Sequence, residues 1–437
     1  MAGAEGVEGV ESVEGVEVAP KRRTLGDVWR VGITCALITL VGFNLRAVIL
    51  GVPPVLPLLS HDLALNHTAT GLVTSLALMV FGVFGLPAGL LAGRIGGRAS
   101  VTLGLVLLAA GTLLRAVWPL ALPLFAFTAL LSLGVTLAQT AVPVLARQWF
   151  PHQIGLVSAL FTDGLIIGEA VSAGVTVPLM GALFGRDGWR GTFVLWGVPV
   201  VATLALWMLL APPAPATSPR RSARAGALAA PFPPAPEPPR RMSALQMGVL
   251  LGAGSLVYFG MNAWIANYNQ ARHLAALTPV ALAVLNAAQL PASLGITLVA
   301  QRIAGRGAPF IVSGIVCSVA IVGWVVAPPA LEPLWAAMLG AGAGAVFTLG
   351  IALPAIFARR HEVARLTGTT LGISYGITFL GPLLGGALWD LLPALPAVVF
   401  LPVAVAALMQ MVMGALLLRQ RITPDGSAQY QPIQLAE

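Results

Sequence analysis

Four ionisable side chains sit well inside long apolar runs of this 437-residue chain: Arg46, Arg115, Asp163 and Glu169. Arg46 lies in VGITCALITLVGFNLRAVILGVPPVLP (31–57), which apart from Asn44 and Arg46 is apolar and long enough to cross a bilayer, a span of ~20 residues. A guanidinium at the bilayer centre costs at least ~2.5–3.5 kcal/mol and stays protonated at ordinary pH. Water, an acidic partner or an anionic ligand must compensate it, and its planar donor fork suits a carboxylate or nitro group. At ~1.5 Å per residue, Arg46 lies ~22 Å from the start of its run, Arg115 ~24 Å, Glu169 ~22 Å and Asp163 ~13 Å. Two arginines and one glutamate therefore share a level. A buried carboxylate without a partner can exchange protons, so Glu169 or Asp163 is a candidate coupling site; the alternative is an ion pair with Arg46 or Arg115.

Uncharged polar groups are the second set. Gln139, Asn286 and Gln289 lie in apolar runs, and Tyr258, Asn262 and Trp264 share another. Tyr258 and Asn262 are four apart, on one helix face. With Asn44 and Arg46 they make a candidate binding site for a small polar solute; interhelical hydrogen bonding is the competing reading. His61 and His67 fall in a loop and read as solvated. Cys35 and Cys317 offer neither a disulfide framework nor metal spacing. The chain has no Walker motif, HExxH or nucleophile elbow, so no cofactor, metal or enzymatic activity is expected.

The elements that must position these residues are membrane helices. The chain is 57% hydrophobic and 9% charged, against roughly a quarter charged in soluble domains. Its surface must therefore face lipid. Twelve apolar segments are expected: 31–56, 69–92, 99–119, 122–146, 154–182, 190–211, 245–269, 278–300, 308–328, 332–357, 366–389 and 394–418. Residues 1–30 read as a low-complexity tail, acidic and then basic, and 419–437 as a second tail. The Pro- and Arg-rich stretch 212–244 reads as a linker dividing the segments six and six. Arg94-Ile-Gly-Gly-Arg98 after the second segment recurs as Arg302-Ile-Ala-Gly-Arg306 after the eighth, as a parallel repeat requires. Nineteen of the 24 Lys and Arg fall on the side of the termini; the other five are Arg46, Arg115, Arg186, Arg190 and Arg272. The bias places both termini in the cytoplasm and accounts for the net charge of +8 without nucleic acid. Pairs such as Gly85/Gly89, Gly164/Gly168 and Gly381/Gly385 let helices approach closely.

Two six-helix halves around a central cavity, a long middle loop and Gly/Arg loops after the second and eighth helices resemble the major facilitator superfamily. Gly89, Leu91, Arg94, Gly96 and Arg98 match its signature between helices 2 and 3; Gly93 stands where the family has an acidic residue. With Arg302 and Arg306, these residues are the expected gating loops. Within the superfamily the chain resembles the cyanate permease and nitroimidazole transporter group. The matching stretches are Asn44-Leu45-Arg46, Gly188-Trp189-Arg190-Gly191, Ala263-Trp264, Pro291-Ala292-Ser293 and Gly381-Pro382-Leu383-Leu384-Gly385-Gly386. Ala47 replaces the proline usual after Asn-Leu-Arg, and Asp163 and Glu169 are charged where the group is small or apolar.

The resemblance implies an all-α integral membrane protein of the plasma (inner) membrane, acting as a monomer in lipid. It implies secondary transport by alternating access of a cyanate-, nitrate- or nitroimidazole-like solute, with protons as candidate coupling ions. Proton-coupled multidrug efflux through Asp163 or Glu169 is the alternative within transport. A membrane receptor without transport is the alternative outside it.

Overall fold

The computed structural model describes residues 25–150, 153–185, 188–213, 242–303, 306–357 and 363–419. The acidic tail, most of the linker and the C-terminal tail fall outside them. Helix α1 (Leu25–Leu50), a 3-10 turn (Pro53–Val55) and α2 (Leu56–Asp62) form the first span. Helices α3 (His67–Ile95), α4 (Gly97–Leu114), α5 (Ala121–Trp149), α6 (Ile154–Phe184) and α7 (Trp189–Leu210) complete the first half. The second half holds α8 (Ala244–Ala271), α9 (Thr278–Ala287), α10 (Gln289–Ile303), α11 (Ala308–Val326), α12 (Glu332–Phe357), α13 (Val363–Leu391) and α14 (Leu401–Arg419). Twelve spans among the described residues are long and apolar enough to cross a membrane.

Two spans differ from the continuous helices expected. The first breaks after Leu50 because Pro53 and Pro54 have no N–H to give to the carbonyls of Ile49 and Leu50. It continues to Asp62 rather than ending near 56. The eighth breaks at Ala288, because Pro291 cannot bond the carbonyl of Ala287. That break sits between Asn286 and Gln289.

The repeat expected from the matching loops recurs in the packing. In the first half α1 packs on α6 and α7, α4 on α5 and α7, and α3 on α5. In the second, α8 packs on α13 and α14, α11 on α12 and α14, and the broken α9–α10 span on α12. Across the halves α3 meets α13, and its counterpart contact joins α9 to α6. Leu298, Leu209 and Val326 are largely exposed, as lipid-facing side chains are. Lipid tails are as apolar as leucine, so close packing and polar contacts hold the helices together.

Glycine sets the closest approach. A Cβ on Gly164 would fall 2.2 Å from the Thr39 carbonyl oxygen, and one on Gly168 2.2 Å from that of Phe43. Both distances are far below contact, so α6 lies against the backbone of α1. Glu169 follows Gly168 directly and is thereby brought beside Arg46. Gly168→Leu is expected to force the two helices apart and lower stability by about 1–3 kcal/mol or more. Thermal unfolding in detergent checks this; an unchanged melting temperature would show the approach is not needed.

The loop signature is also structural. Gly96 has φ +86° and is both the last cap of α3 and the first of α4, a conformation that glycine alone adopts without strain. Arg98 donates to the Met208 carbonyl at 3.2 Å, while Arg94 and Arg306 are exposed. The side chain of Arg302 lies outside those described.

Candidate functional site

A cavity of about 840 Å³ opens between the halves. Its walls include Gly82, Gly85 and Gly89 of α3, Gln139 and Thr140 of α5, Phe347 and Ile351 of α12, and Thr367, Leu371 and Tyr375 of α13. These stretches belong to the parts of their helices nearer the face where the termini lie. Gly85, Gly89 and Gly368 have open space where a Cβ would sit, so α3 and α13 are parted there.

At the opposite face the same two helices are closed. Both oxygens of Asp390 near the end of α13 accept from the start of α3. His67 N–H donates to Oδ1 at 2.9 Å, and Thr68 donates to Oδ2 from N–H at 2.8 Å and from its hydroxyl at 2.6 Å. His67 Nδ1 is 2.8 Å from Oδ1 and, facing a carboxylate, carries the hydrogen. The His67 ring stacks on Trp389 at 4.2 Å. Asp390 thus satisfies the orphan donors and positive end of α3 from the other half. His67, expected to be solvated, is part of this latch. A molecule closed here and open at the other face displays one of two alternating states. Asp390→Ala is expected to favour the other state: labelling of a Thr74→Cys reporter from the latch side should rise several-fold. Unchanged labelling would mean the latch does not hold the seal.

Between latch and cavity lies a buried polar cluster. Arg46 Nε is 3.3 Å from Glu169 Oε1, within ion-pair distance. The direction is not that of a hydrogen bond, and Nε and Nη1 have no hydrogen-bond partner among the described residues. The fork is therefore charge-balanced but not saturated. Its central carbon lies 5.6 Å from the centre of the Phe259 ring. Tyr375, which lines the cavity, stands beside the guanidinium. Glu169 Oε2 accepts from Tyr258 Oη at 2.7 Å and from Gln289 Nε2 at 3.0 Å. The Tyr258 hydroxyl also makes a very short contact with Asn286 Oδ1. Asn286 Nδ2 donates to Asn262 Oδ1 at 2.9 Å and to the Leu282 carbonyl at 2.7 Å; Asn262 Nδ2 donates to the Tyr258 carbonyl at 3.0 Å.

These bonds fix how both amides are turned, with Asn286 Oδ1 towards the tyrosine. Tyr258 then faces two acceptors with a single hydrogen. If Glu169 is ionised, the hydrogen goes to Glu169 and Asn286 Oδ1 is unpaired. If Glu169 is protonated on Oε2, it donates to Tyr258, and Tyr258 donates to Asn286. The cluster accommodates one proton more than an ionised Glu169 supplies.

The expected site residues thus separate. Arg46, Glu169, Tyr258, Asn262, Asn286 and Gln289 come together, the last two at the break in the eighth span, where bundle-core ligand sites are built in transporters. Gln139 and Gly89 line the cavity below. Asn44 turns away, donating to Thr203 Oγ1 and the Leu40 carbonyl, both at 2.9 Å. Trp264 is fully buried and donates to the Pro382 carbonyl at 3.2 Å, joining α8 to α13 rather than facing the cavity. Asp163 is half-buried with no ion pair among the described residues. Glu169 pairs with Arg46 and not with Arg115, which stacks 4.3 Å over Phe193. The sequence reading missed Tyr375 and Phe259. Tyr375, a polar aromatic amid glycines in Gly372-Ile-Ser-Tyr-Gly376, was the available signal.

Comparison with known proteins follows the same lines. The model of the Major Facilitator Superfamily matches residues 34–386. The chain is similar to the uncharacterized transporter YycB of Bacillus subtilis (strain 168): 25% identity over 356 residues, 81% of this chain and 85% of that one. It is similar to the cyanate transport protein CynX of Escherichia coli (strain K12), at 25% over 354 residues, 80% and 88%. It is similar to the 2-nitroimidazole transporter of the same strain, at 26% over 363 residues, 82% and 88%. Among solved structures, the inward-open xylose transporter XylE of E. coli superimposes with a TM-score of 0.70 at 12% identity, covering 91% of this chain and 98% of that one.

Proposed function

We propose, from the premise that the chain belongs to the Major Facilitator Superfamily, that this transporter moves a small anion together with a proton. The unsaturated Arg46 fork against Glu169 carries the reading. Protonation of Glu169 removes the negative charge facing Arg46 and lets Tyr258 satisfy Asn286. The guanidinium is then free to take an anionic oxygen or nitrogen bidentately. Proton and anion thus favour each other's binding, and each alone leaves a buried charge uncompensated. Tyr375 shields Arg46 from the cavity and moves aside as the anion enters. The basic loops support a cavity mouth on the cytoplasmic side of a plasma (inner) membrane, with the closed latch facing outward. Rocking of the halves exchanges the two states around the fixed cluster.

The relatives named for cyanate and 2-nitroimidazole support a planar, electron-rich solute of that size. One observation favours a second reading. The cavity is far larger than cyanate and has apolar walls at Phe81, Leu86, Leu90, Phe347 and Leu371, which suit a bulkier amphipathic solute exported against protons. A thermal-stability screen of the purified protein separates the two. Small planar anions should stabilise it more strongly as pH falls. Stabilisation by hydrophobic cations that strengthens as pH rises would favour efflux instead.

A further inference from the structure

Arg115 has not been accounted for. It caps the C-terminus of α4 and is 2% exposed, with its Nε and Nη2 atoms unpartnered among the described residues. Among the described residues, no ion pair includes it. Asp62 is engaged by Trp189 Nε1 at 2.6 Å, and Glu169 by Arg46. Arg190 brings further positive charge nearby, donating to the carbonyls of Ala116 and Val117 at 2.8 and 2.7 Å. A buried cation with only an aromatic face against it is costly.

Beside Arg115 is a small, partly open pocket of about 30 Å³. Thr128, Thr74, Asn262 and Phe259 share its wall. Thr128 is buried, and its hydroxyl is also unpartnered among the described residues. A single water occupies only about 10–15 Å³, so the space has room for a small anion or a few waters. Water offers oxygens but no charge. Nε and Nη2 form one edge of the guanidinium, the side-on fork that grips an anion with two parallel bonds. The Thr128 hydroxyl supplies a third donor.

The pocket is connected to the central cluster in two ways. Phe259 walls the pocket and also lies under Arg46. Asn262, in the wall, accepts from Asn286, which contacts Tyr258 and through it Glu169. We infer that the pocket is a second anion subsite, holding one monovalent anion of halide size between Arg115 and Thr128, on the latch side of the Arg46–Glu169 pair. The inference concerns binding alone and stands apart from the identity of the transported solute. An anion entering from the latch side meets Arg115 before Arg46.

The test uses purified full-length protein in detergent, titrated with potassium chloride or bromide against potassium gluconate at constant ionic strength. The melting temperature is expected to rise saturably with halide. Arg115→Gln should abolish the rise. Thr128→Val, which keeps the shape and removes one donor, should weaken the apparent affinity by roughly five- to tenfold. Arg46→Lys, which keeps the charge that Glu169 needs, should still show the rise. Crystals grown in bromide should show an anomalous peak within hydrogen-bonding reach of Nε and Nη2. No halide-specific rise in the unaltered protein, a rise unaffected by both Arg115→Gln and Thr128→Val, or one lost only in Arg46→Lys would overturn the inference. So would ordered water alone in the pocket of bromide-grown crystals. Halide binding at Arg115 without any solute flux would overturn the transport reading and leave this one standing.

Discussion

Arg46→Ala is expected to abolish both solute-dependent stabilisation and flux. The substitution removes the fork, and it leaves Glu169 buried without its counter-charge, 4% exposed and 3.3 Å from where the guanidinium stood. Breaking a buried pair in this way costs about 3–5 kcal/mol. Arg46→Lys separates the two effects. Lysine keeps the charge that Glu169 needs but not the planar pair of donors, so the protein should fold while anion affinity falls by roughly ten- to hundredfold. The double variant Arg46→Ala/Glu169→Ala removes both charges and should recover most of the lost stability but none of the binding. A double variant that regains stability and transports at the normal rate would make Arg46 scaffold only.

Glu169→Gln is the second large effect. The amide keeps the shape and can donate to Tyr258 much as a protonated carboxyl does, so Tyr258 can still donate to Asn286. The site is then held in the form that favours the anion, with no proton to carry. Uptake driven by a pH gradient should be lost, while exchange of internal for external solute continues and no longer depends on pH. Gradient-driven uptake at the normal rate in this variant would exclude Glu169 as the proton carrier.

Much of this arrangement is legible in the chain itself. An arginine inside an apolar run announces a compensating group, and depth along each helix placed Glu169 at its level. The structure chooses Arg46 over Arg115 because Gly164 and Gly168 press α6 on α1. Helical spacing put Tyr258 and Asn262 together. It could not show that the break at Ala288 turns Asn286 and Gln289 towards Glu169, since that depends on packing across helices. Trp264 and Asn44 show the limit from the other side. Both sit in stretches with close family resemblance, yet both serve contacts between helices. Asp390 and His67 lie 323 positions apart, and only the folded chain makes them one latch.

The central claim is that anion and proton move together through the Arg46–Glu169 pair. Proteoliposomes containing a lumenal pH dye test it most directly. When an inward cyanate gradient is applied, the lumen should acidify faster than in protein-free liposomes, and Arg46→Ala should remove the difference. Cyanate entry above the protein-free rate with no acidification, or with alkalinisation, would contradict it.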